Sequence, residues 1–170
     1  MDATALIQHL ENNADVIRTF IHGTSQEQAI WRHAPESWSI LEVMVHLLDE
    51  EREDFRVRLD HTLHKPGTDW PPINPAGWVS ERAYAERDLE ESLQAFLAER
   101  EKSVAWLRSL TSPSWESKHV HPKFGSMDAG TLMASWVAHD YLHLRQLLRL
   151  RFEHVKHLAG SYSVAYAGDW

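Results

Sequence analysis

Apolar residues recur every three or four positions in four long stretches of the chain. This 3.6-residue period is typical of amphipathic helices that bury one face. A shorter stretch, residues 25–32, is predicted to form only a brief helical turn. The four long helices are predicted over residues 2–22, 39–63, 88–110 and 128–152.

Polar residues at the start of three of these stretches support the helix assignments. Ser39 is followed three positions later by Glu42, the arrangement of a capping box. Asp88 and Asp128 each precede an apolar stretch, where a side-chain oxygen can accept a hydrogen bond from a free backbone N–H. The first helix is predicted to end before Gly23.

The segments between the helices differ in length and composition. Residues 64–79 contain four prolines and two glycines, which predicts a long connection without a regular helix. Its Trp70, Ile73 and Trp78 favour an ordered loop. Residues 115–127 are predicted to form a second loop, and residues 154–170 an irregular tail that is small, polar and aromatic.

These elements predict an all-α fold. Four amphipathic helices without an alternating strand pattern or an internal repeat favour a four-helix bundle. At 170 residues, the chain is expected to form a single domain over residues 1–170. The longest connection joins the second and third helices, which suits an up-down-down-up order, although loop length alone does not establish it.

Composition narrows the function classes. The formal charge is −8 and no basic stripe follows a helix, so nucleic-acid binding is not expected. There is no cysteine, which excludes disulfides, thiolate ligands and a cysteine nucleophile. No apolar run reaches the roughly 18 residues of a membrane span, and residues 1–8 do not resemble a signal peptide. A cytoplasmic protein without a membrane partner is the expectation.

Two histidines in the fourth helix are the strongest candidates for chemistry. His139 and His143 are four residues apart, so their imidazoles share one helix face. They lie on the apolar stripe that includes Trp136 and Leu147, where a buried polar ring needs a partner. A divalent metal ion would serve both, with His46 of the second helix as a third ligand. Chance pairing among twelve histidines is the alternative.

Other polar residues near this motif have open roles. Glu50, four positions after His46, is a weak candidate for a catalytic base or an extra ligand; otherwise it is a solvated carboxylate of the acidic run. Gln146 is expected either to hydrogen-bond a ligand or to be a surface amide. Asp140 points about 100° away from His139 around the helix, which disfavours ligation. The remaining histidines, including His119, His121, His154 and His157, are not expected to bind the metal.

The sequence around these histidines resembles the DinB-like (YfiT-like) superfamily of bacterial metal-binding four-helix bundles. The resemblance rests on residues 38–50 around His46, on His139 to Gln146, on residues 130–132 and on the helix around Arg100. It implies an up-down-down-up bundle and a homodimer. It also implies that His46, His139 and His143 hold one divalent ion, with zinc or nickel expected first and iron or manganese as further options.

Several functions are compatible with this motif. Some proteins of the superfamily transfer low-molecular-weight thiols such as bacillithiol, and others isomerise maleylpyruvate with mycothiol. By resemblance, a metal-dependent thiol S-transferase acting on a small molecule is the first hypothesis. A metal-dependent hydrolase, a non-enzymatic metal-stabilised stress-response protein and a metal-free bundle are alternatives. Aromatic residues outside the long helices are expected to wall a pocket or to anchor loops and a dimer contact: Trp70, Trp78, Trp115, Tyr162, Tyr166 and Trp170.

Overall fold

A computed structural model describes residues 1–121 and 123–170. Helices dominate it, with one short hairpin between the last two long helices. The elements are α1 (Ala3–Ile21), α2 (Gln26–Ile30), α3 (Ile40–Asp49), a π-helical segment (Glu50–Phe55), α4 (Arg56–His64), α5 (Pro75–Glu81), a 3-10 turn (Tyr84–Glu86), α6 (Leu89–Ser109), β1 (Lys118–His121), β2 (Gly125–Asp128), α7 (Ala129–Ala159) and a second 3-10 turn (Ala165–Ala167).

The four long helices form an up-down-down-up bundle. Helices α3 and α4 are joined through the π-helical segment and act as one bundle helix. Helix α1 runs parallel to α7, while α3–α4 runs antiparallel to α7 and parallel to α6. The contacts that set these directions are Asn13–Asp140 and Phe20–Arg151 for α1 with α7, His46–His143 and Glu51–Trp136 for α3–α4 with α7, and Glu51–Arg100 and Arg56–Ser103 for α3–α4 with α6.

The apolar core divides into two clusters along the bundle. On α6, one cluster contains Leu93 and Phe96 and the other contains Val104 and Leu107, with Arg100 between them. The same division occurs on α1 and α7. A layer of buried polar groups therefore crosses the middle of the bundle, and the predicted histidines belong to it.

The predicted helix starts are confirmed. The Ser39 hydroxyl accepts a hydrogen bond from the Glu42 N–H at 3.2 Å, and the Glu42 carboxylate accepts one from the Ser39 N–H at 2.8 Å. Asp88 and Asp128 cap α6 and α7 through their carboxylates. Because these caps need only local sequence, the starts were predictable to within a residue.

Three predictions about the connections are wrong in part. The loop 64–79 contains the beginning of α5, because Asn74 caps a helix that starts at Pro75, a position where proline costs no hydrogen bond. The loop 115–127 contains the hairpin of β1 and β2. The tail is helical as far as Ala159, since α7 ends only where Gly160 adopts a positive φ.

No helix in the described ranges, 1–121 and 123–170, has the length and apolar character required to cross a bilayer.

Candidate metal centre

The three predicted histidines meet in the polar layer of the bundle. His46 lies in the last turn of α3, while His139 and His143 lie one turn apart on α7. One ligand nitrogen from each ring can be chosen so that all three lie within 4.8 Å of one another. The Nε2 atoms of His139 and His143 are 3.1 Å apart. A single ion can therefore contact all three imidazoles.

The electrostatics of the cluster keep these rings neutral. Burial, with His143 as a further cause, lowers the pKa of His46 to about 3. Burial and the neighbouring His143 and His46 lower the pKa of His139 to about 2. Burial also lowers the pKa of His143. Neutral imidazoles offer the lone pairs that a divalent ion needs, so the donor set fits such an ion.

Gln146 orients His143. The Nδ1 atom of His143 lies 2.8 Å from the Oε1 atom of Gln146. An amide oxygen only accepts hydrogen bonds, so Nδ1 carries the proton and Nε2 presents its lone pair. This contact between a ligand candidate and a neighbouring polar group is typical of metal-binding histidines. Of the two predicted roles for Gln146, the hydrogen bond to a candidate ligand is the one observed.

Glu50 is buried beside His46, so the alternative of a solvated carboxylate is wrong. Its Oε1 atom lies 4.0 Å from Nδ1 of His46, and neither atom has a hydrogen-bond partner among the described residues. Burial, followed by the neighbouring Asp54, raises the pKa of Glu50 to about 9. Glu50 is therefore a buried acid within about 1 Å of hydrogen-bonding distance from a candidate ligand.

The π-helical segment explains why the acidic run turns inward. It begins at Glu50, directly after the turn that carries His46, and its wider winding changes which residues face the bundle. Glu50, Glu51 and Asp54 are all buried. Such segments occur frequently at functional sites. In the sequence, the acidic run looks like the charged surface of an ordinary α-helix. It contains no glycine or proline that would indicate the change to π-helical winding.

Two aromatic side chains pack against the imidazoles. The ring centroid of Trp38 lies 4.9 Å from that of His46 and 6.5 Å from that of His143. On the other side, Phe55 lies 5.0 Å from the ring of His139. Neither residue was among the predicted aromatic candidates. Both lie inside or beside predicted helices. In such a position the sequence alone cannot distinguish an aromatic residue of a site from one that packs in the apolar core.

A buried ion-pair network lies next to the histidines. Arg100 is 2% exposed and donates to both carboxylate oxygens of Asp140 at 2.7 and 2.8 Å. It also contacts Glu51 at 2.9 Å, and Glu51 accepts a hydrogen bond from the Trp136 indole at 2.9 Å. Asn13 adds a hydrogen bond to Asp140. The predicted exclusion of Asp140 from ligation agrees with these contacts, because both of its oxygens are occupied.

The sequence contains a signal for this network in the positions of Arg100 and Asp140. Arg100 lies four residues after Phe96 and four before Val104, on an apolar stripe. Asp140 lies likewise between Trp136 and Leu144. Opposite charges on the inner faces of two helices predict a buried pair, since an unpaired buried charge is too costly.

The other histidines lie away from this centre. His119 stacks on Trp70 with ring centroids 4.1 Å apart, and His121 packs nearby. His154 and His157 pack against Trp31. Over residues 1–121 and 123–170, the three histidines of the centre are the one set of metal-type side chains that converge closely enough to share an ion.

Comparison with known families agrees with this architecture. The model of the DinB superfamily matches residues 9–147 of the chain. The chain belongs to the DinB superfamily. Among solved structures, this DinB-superfamily chain is similar to YfiT from Bacillus subtilis, with a TM-score of 0.77 and 19% sequence identity over 87% of this chain and 85% of that one. YfiT is described as a probable metal-dependent hydrolase with an unusual four-helix bundle topology. No curated protein sequence matches the chain significantly.

The buried histidines are expected to make the metal-free protein acid-sensitive. Between pH 6.5 and about 3, the unfolded chain binds protons at His46 and His139 that the folded chain does not bind. The free energy of unfolding therefore decreases as the pH falls, by about 1.4 kcal/mol per pH unit for each histidine. Glu50 acts in the opposite direction, because its raised pKa makes the folded state the stronger proton binder above pH 4.5.

A variant comparison isolates the histidine contribution. Urea unfolding at pH 7 to 5 is expected to show a slope for His139→Phe that is smaller than that of the wild type, with the difference approaching about 1.4 kcal/mol per pH unit near pH 5. His22→Phe is the control, since His22 is exposed. Equal slopes for His139→Phe and the wild type would contradict the burial of a neutral ring.

Proposed function

We propose that this protein is a metal-dependent enzyme in which His46, His139 and His143 hold one divalent ion, with zinc or nickel as the first candidates. One observation carries the proposal: three neutral imidazoles converge within 4.8 Å, and no fourth metal-type side chain joins them among the described residues. A site with three protein ligands leaves coordination positions for a reacting molecule, as in catalytic metal sites.

The surrounding residues prepare the ligands. Gln146 holds His143 in the tautomer that presents Nε2. Glu50 lies on the Nδ1 side of His46, and a small closing movement would complete the hydrogen bond that both buried atoms lack. Trp38 and Phe55 cover the rings and reduce access of water. A divalent ion held there would lower the pKa of water or of a thiol and so supply a nucleophile near neutral pH.

The reaction that we propose first is hydrolysis of a small molecule. The structural neighbour YfiT is described as a probable metal-dependent hydrolase, and this fold similarity supports the proposal for the present chain. Thiol S-transfer is the second candidate, since the same ligand set without cysteine or carboxylate leaves the ion its full charge to bind a thiol. The incoming nucleophile is water in the first reaction and a thiolate in the second.

One pair of assays tests this function. Zinc- and nickel-loaded protein is incubated with 4-nitrophenyl acetate alone, and with 1-chloro-2,4-dinitrobenzene plus cysteine. Hydrolysis releases 4-nitrophenol, whereas thiol transfer forms an S-aryl conjugate and releases chloride. Saturable turnover that chelation abolishes and metal restores supports the enzyme, and the assay that shows turnover distinguishes hydrolysis from thiol transfer. Metal binding that raises the Tm without turnover in any substrate panel would favour a metal-stabilised binding protein instead.

Glu50→Gln is expected to weaken metal binding by about 10- to 100-fold while leaving the fold intact. The reason is that Gln keeps the volume of Glu50 but removes the carboxylate beside His46. Competition with a fluorescent zinc chelator measures the dissociation constant. The exposed Glu116→Gln is the control, and it should bind zinc like the wild type. If both variants bind zinc equally well, Glu50 does not position His46.

The homodimer, the cytoplasmic location, the stress-response role and the absence of a nucleic-acid partner stay predictions of the sequence and its resemblance.

A further inference from the structure

A groove beside the candidate metal centre combines positive charge with apolar surface. It has a volume of about 650 Å³ and is lined by Leu142, His143, Arg145, Gln146, Arg149 and Trp170. His143 and Gln146 are part of this lining, so the groove borders the histidine cluster on α7. The chain reaches it a second time after α7, where Trp170 stacks on Phe152 with ring centroids 5.0 Å apart.

The two arginines of this groove form no ion pair at contact distance in the described parts of the chain, although Glu153 lies near enough to Arg149 that, after the larger effect of Lys156, the arginine helps to lower the pKa of that carboxyl. Within the described residues, no carboxylate lies within 4.0 Å of the guanidinium of Arg145 or Arg149, whereas Arg18 and Arg108, which are also exposed, each contact a carboxylate. Glu153, one turn after Arg149, contacts Lys156 at 2.9 Å instead. Two like charges four residues apart on a helix repel each other. An anion bound between them would remove this cost.

A second groove shows the contrast. It lies between α1 and α6 and has a volume of about 720 Å³, and none of the three histidines lines it. Its arginines are paired, since Arg108 contacts Glu11 at 2.8 Å, Arg18 contacts Asp15 and Arg100 contacts Asp140. It therefore lacks the unpaired positive charge of the groove on α7.

We infer that the groove on α7 binds the anionic end of a small organic substrate, a carboxylate or a phosphate ester, whose reacting end reaches the metal centre. The inference rests on the proposed function for its reacting end. Arginine guanidinium groups match the two oxygens of such anions. Leu142 and Trp170 contribute apolar contact for the middle of the molecule.

The helix geometry limits the length of this substrate. From His143 to Arg149 the helix rises about 9 Å, at about 1.5 Å per residue. Arg145 lies closer to the histidine along the helix axis. The anionic group is therefore expected to be separated from the reacting bond by a spacer of several atoms, so that inorganic phosphate alone cannot occupy both ends.

Calorimetric binding of matched probes tests the inference without turnover. The probes are 3-phenylpropionate and phenyl phosphate, with the uncharged 3-phenylpropanol for comparison. Wild-type protein is expected to bind each anion about tenfold more tightly than the alcohol. This factor is at the lower end of the affinity gain from charge-assisted hydrogen bonds, because the site is partly exposed. In the double variant Arg145→Gln/Arg149→Gln, this preference should fall to less than about twofold. The variant Lys118→Gln/Lys123→Gln changes the net charge equally and should keep the preference.

The outcomes separate this inference from the proposed function. The His139→Ala variant, prepared without metal, should still prefer the anions, because the arginines do not depend on the ion. If the wild type and His139→Ala both prefer the anions and only the double arginine variant loses this preference, anion binding in the groove is supported. This holds even if the wild type shows no turnover. Equal binding of anion and alcohol by the wild type would overturn the inference. The inference would also be overturned if the double arginine variant kept the preference for anions. Loss of the preference in the metal-free His139→Ala variant would overturn it as well. The relative affinity of the two anions identifies the preferred anionic group.

Discussion

Replacing Arg100 by leucine is expected to destabilise the protein by about 3 to 5 kcal/mol, the range for breaking a buried ion pair. Arg100 is 2% exposed and is shared by Asp140 and Glu51. Its removal leaves two buried carboxylates without their cation. For a protein of this size the Tm should fall by about 6 to 20 °C. Thermal unfolding followed by circular dichroism measures the change.

Variants that also neutralise the carboxylates provide the decisive comparison. The triple variant Arg100→Leu, Glu51→Gln and Asp140→Asn is expected to recover part of the lost stability, because no unpaired charge remains buried. Arg108→Leu serves as the surface control, since its contact with Glu11 is exposed and contributes less than about 1 kcal/mol. If Arg100→Leu and Arg108→Leu had equal effects, the network would contribute little to the fold.

The His143→Ala variant is expected to lose at least about 100-fold in metal affinity, and any metal-dependent activity with it. Replacing a residue that only hydrogen-bonds to a ligand costs up to about 100-fold in metal affinity, and removing a ligand itself should cost at least as much. Two imidazoles would remain from the set of three. The metal-free variant should remain folded, since the ring is partly exposed and its loss creates no large cavity. Elemental mass spectrometry after equilibration with a metal buffer measures the ion content per chain.

Other histidines are the matched controls for this experiment. His121→Ala and His154→Ala remove imidazoles that pack against Trp70 and Trp31, respectively, away from the centre. Both variants should bind metal like the wild type. Loss of metal in either control, or normal metal content in His143→Ala, would contradict the assignment of the ligands.

Local sequence was sufficient for the helices but not for the connections. The caps at Ser39, Asp88 and Asp128 involve residues three positions apart, so their hydrogen bonds follow from the sequence alone. The hairpin of β1 and β2 could not be predicted, because each strand has only four residues and a single apolar one, Val120 in β1 and Met127 in β2. The direction of the helices depended on contacts between distant segments.

The same distinction applies to the site. His139 and His143 were predictable as a pair because helical periodicity places them on one face. Their meeting with His46 required the family resemblance, since no local rule joins α3 to α7. The burial of Glu50 could not be predicted, because it depends on the π-helical winding after Asp49. Trp170 reaches the groove only through the fold of the tail.

Anomalous diffraction at the zinc absorption edge, from crystals of zinc-loaded protein, would show directly whether the three histidines hold an ion. We expect one anomalous peak per chain, about 2.0 to 2.1 Å from the Nε2 atoms of His139 and His143 and from a ring nitrogen of His46, with a non-protein ligand completing the shell. Absence of a peak at this position, or a peak at His119 and His121 or at His154 and His157 instead, would contradict this expectation.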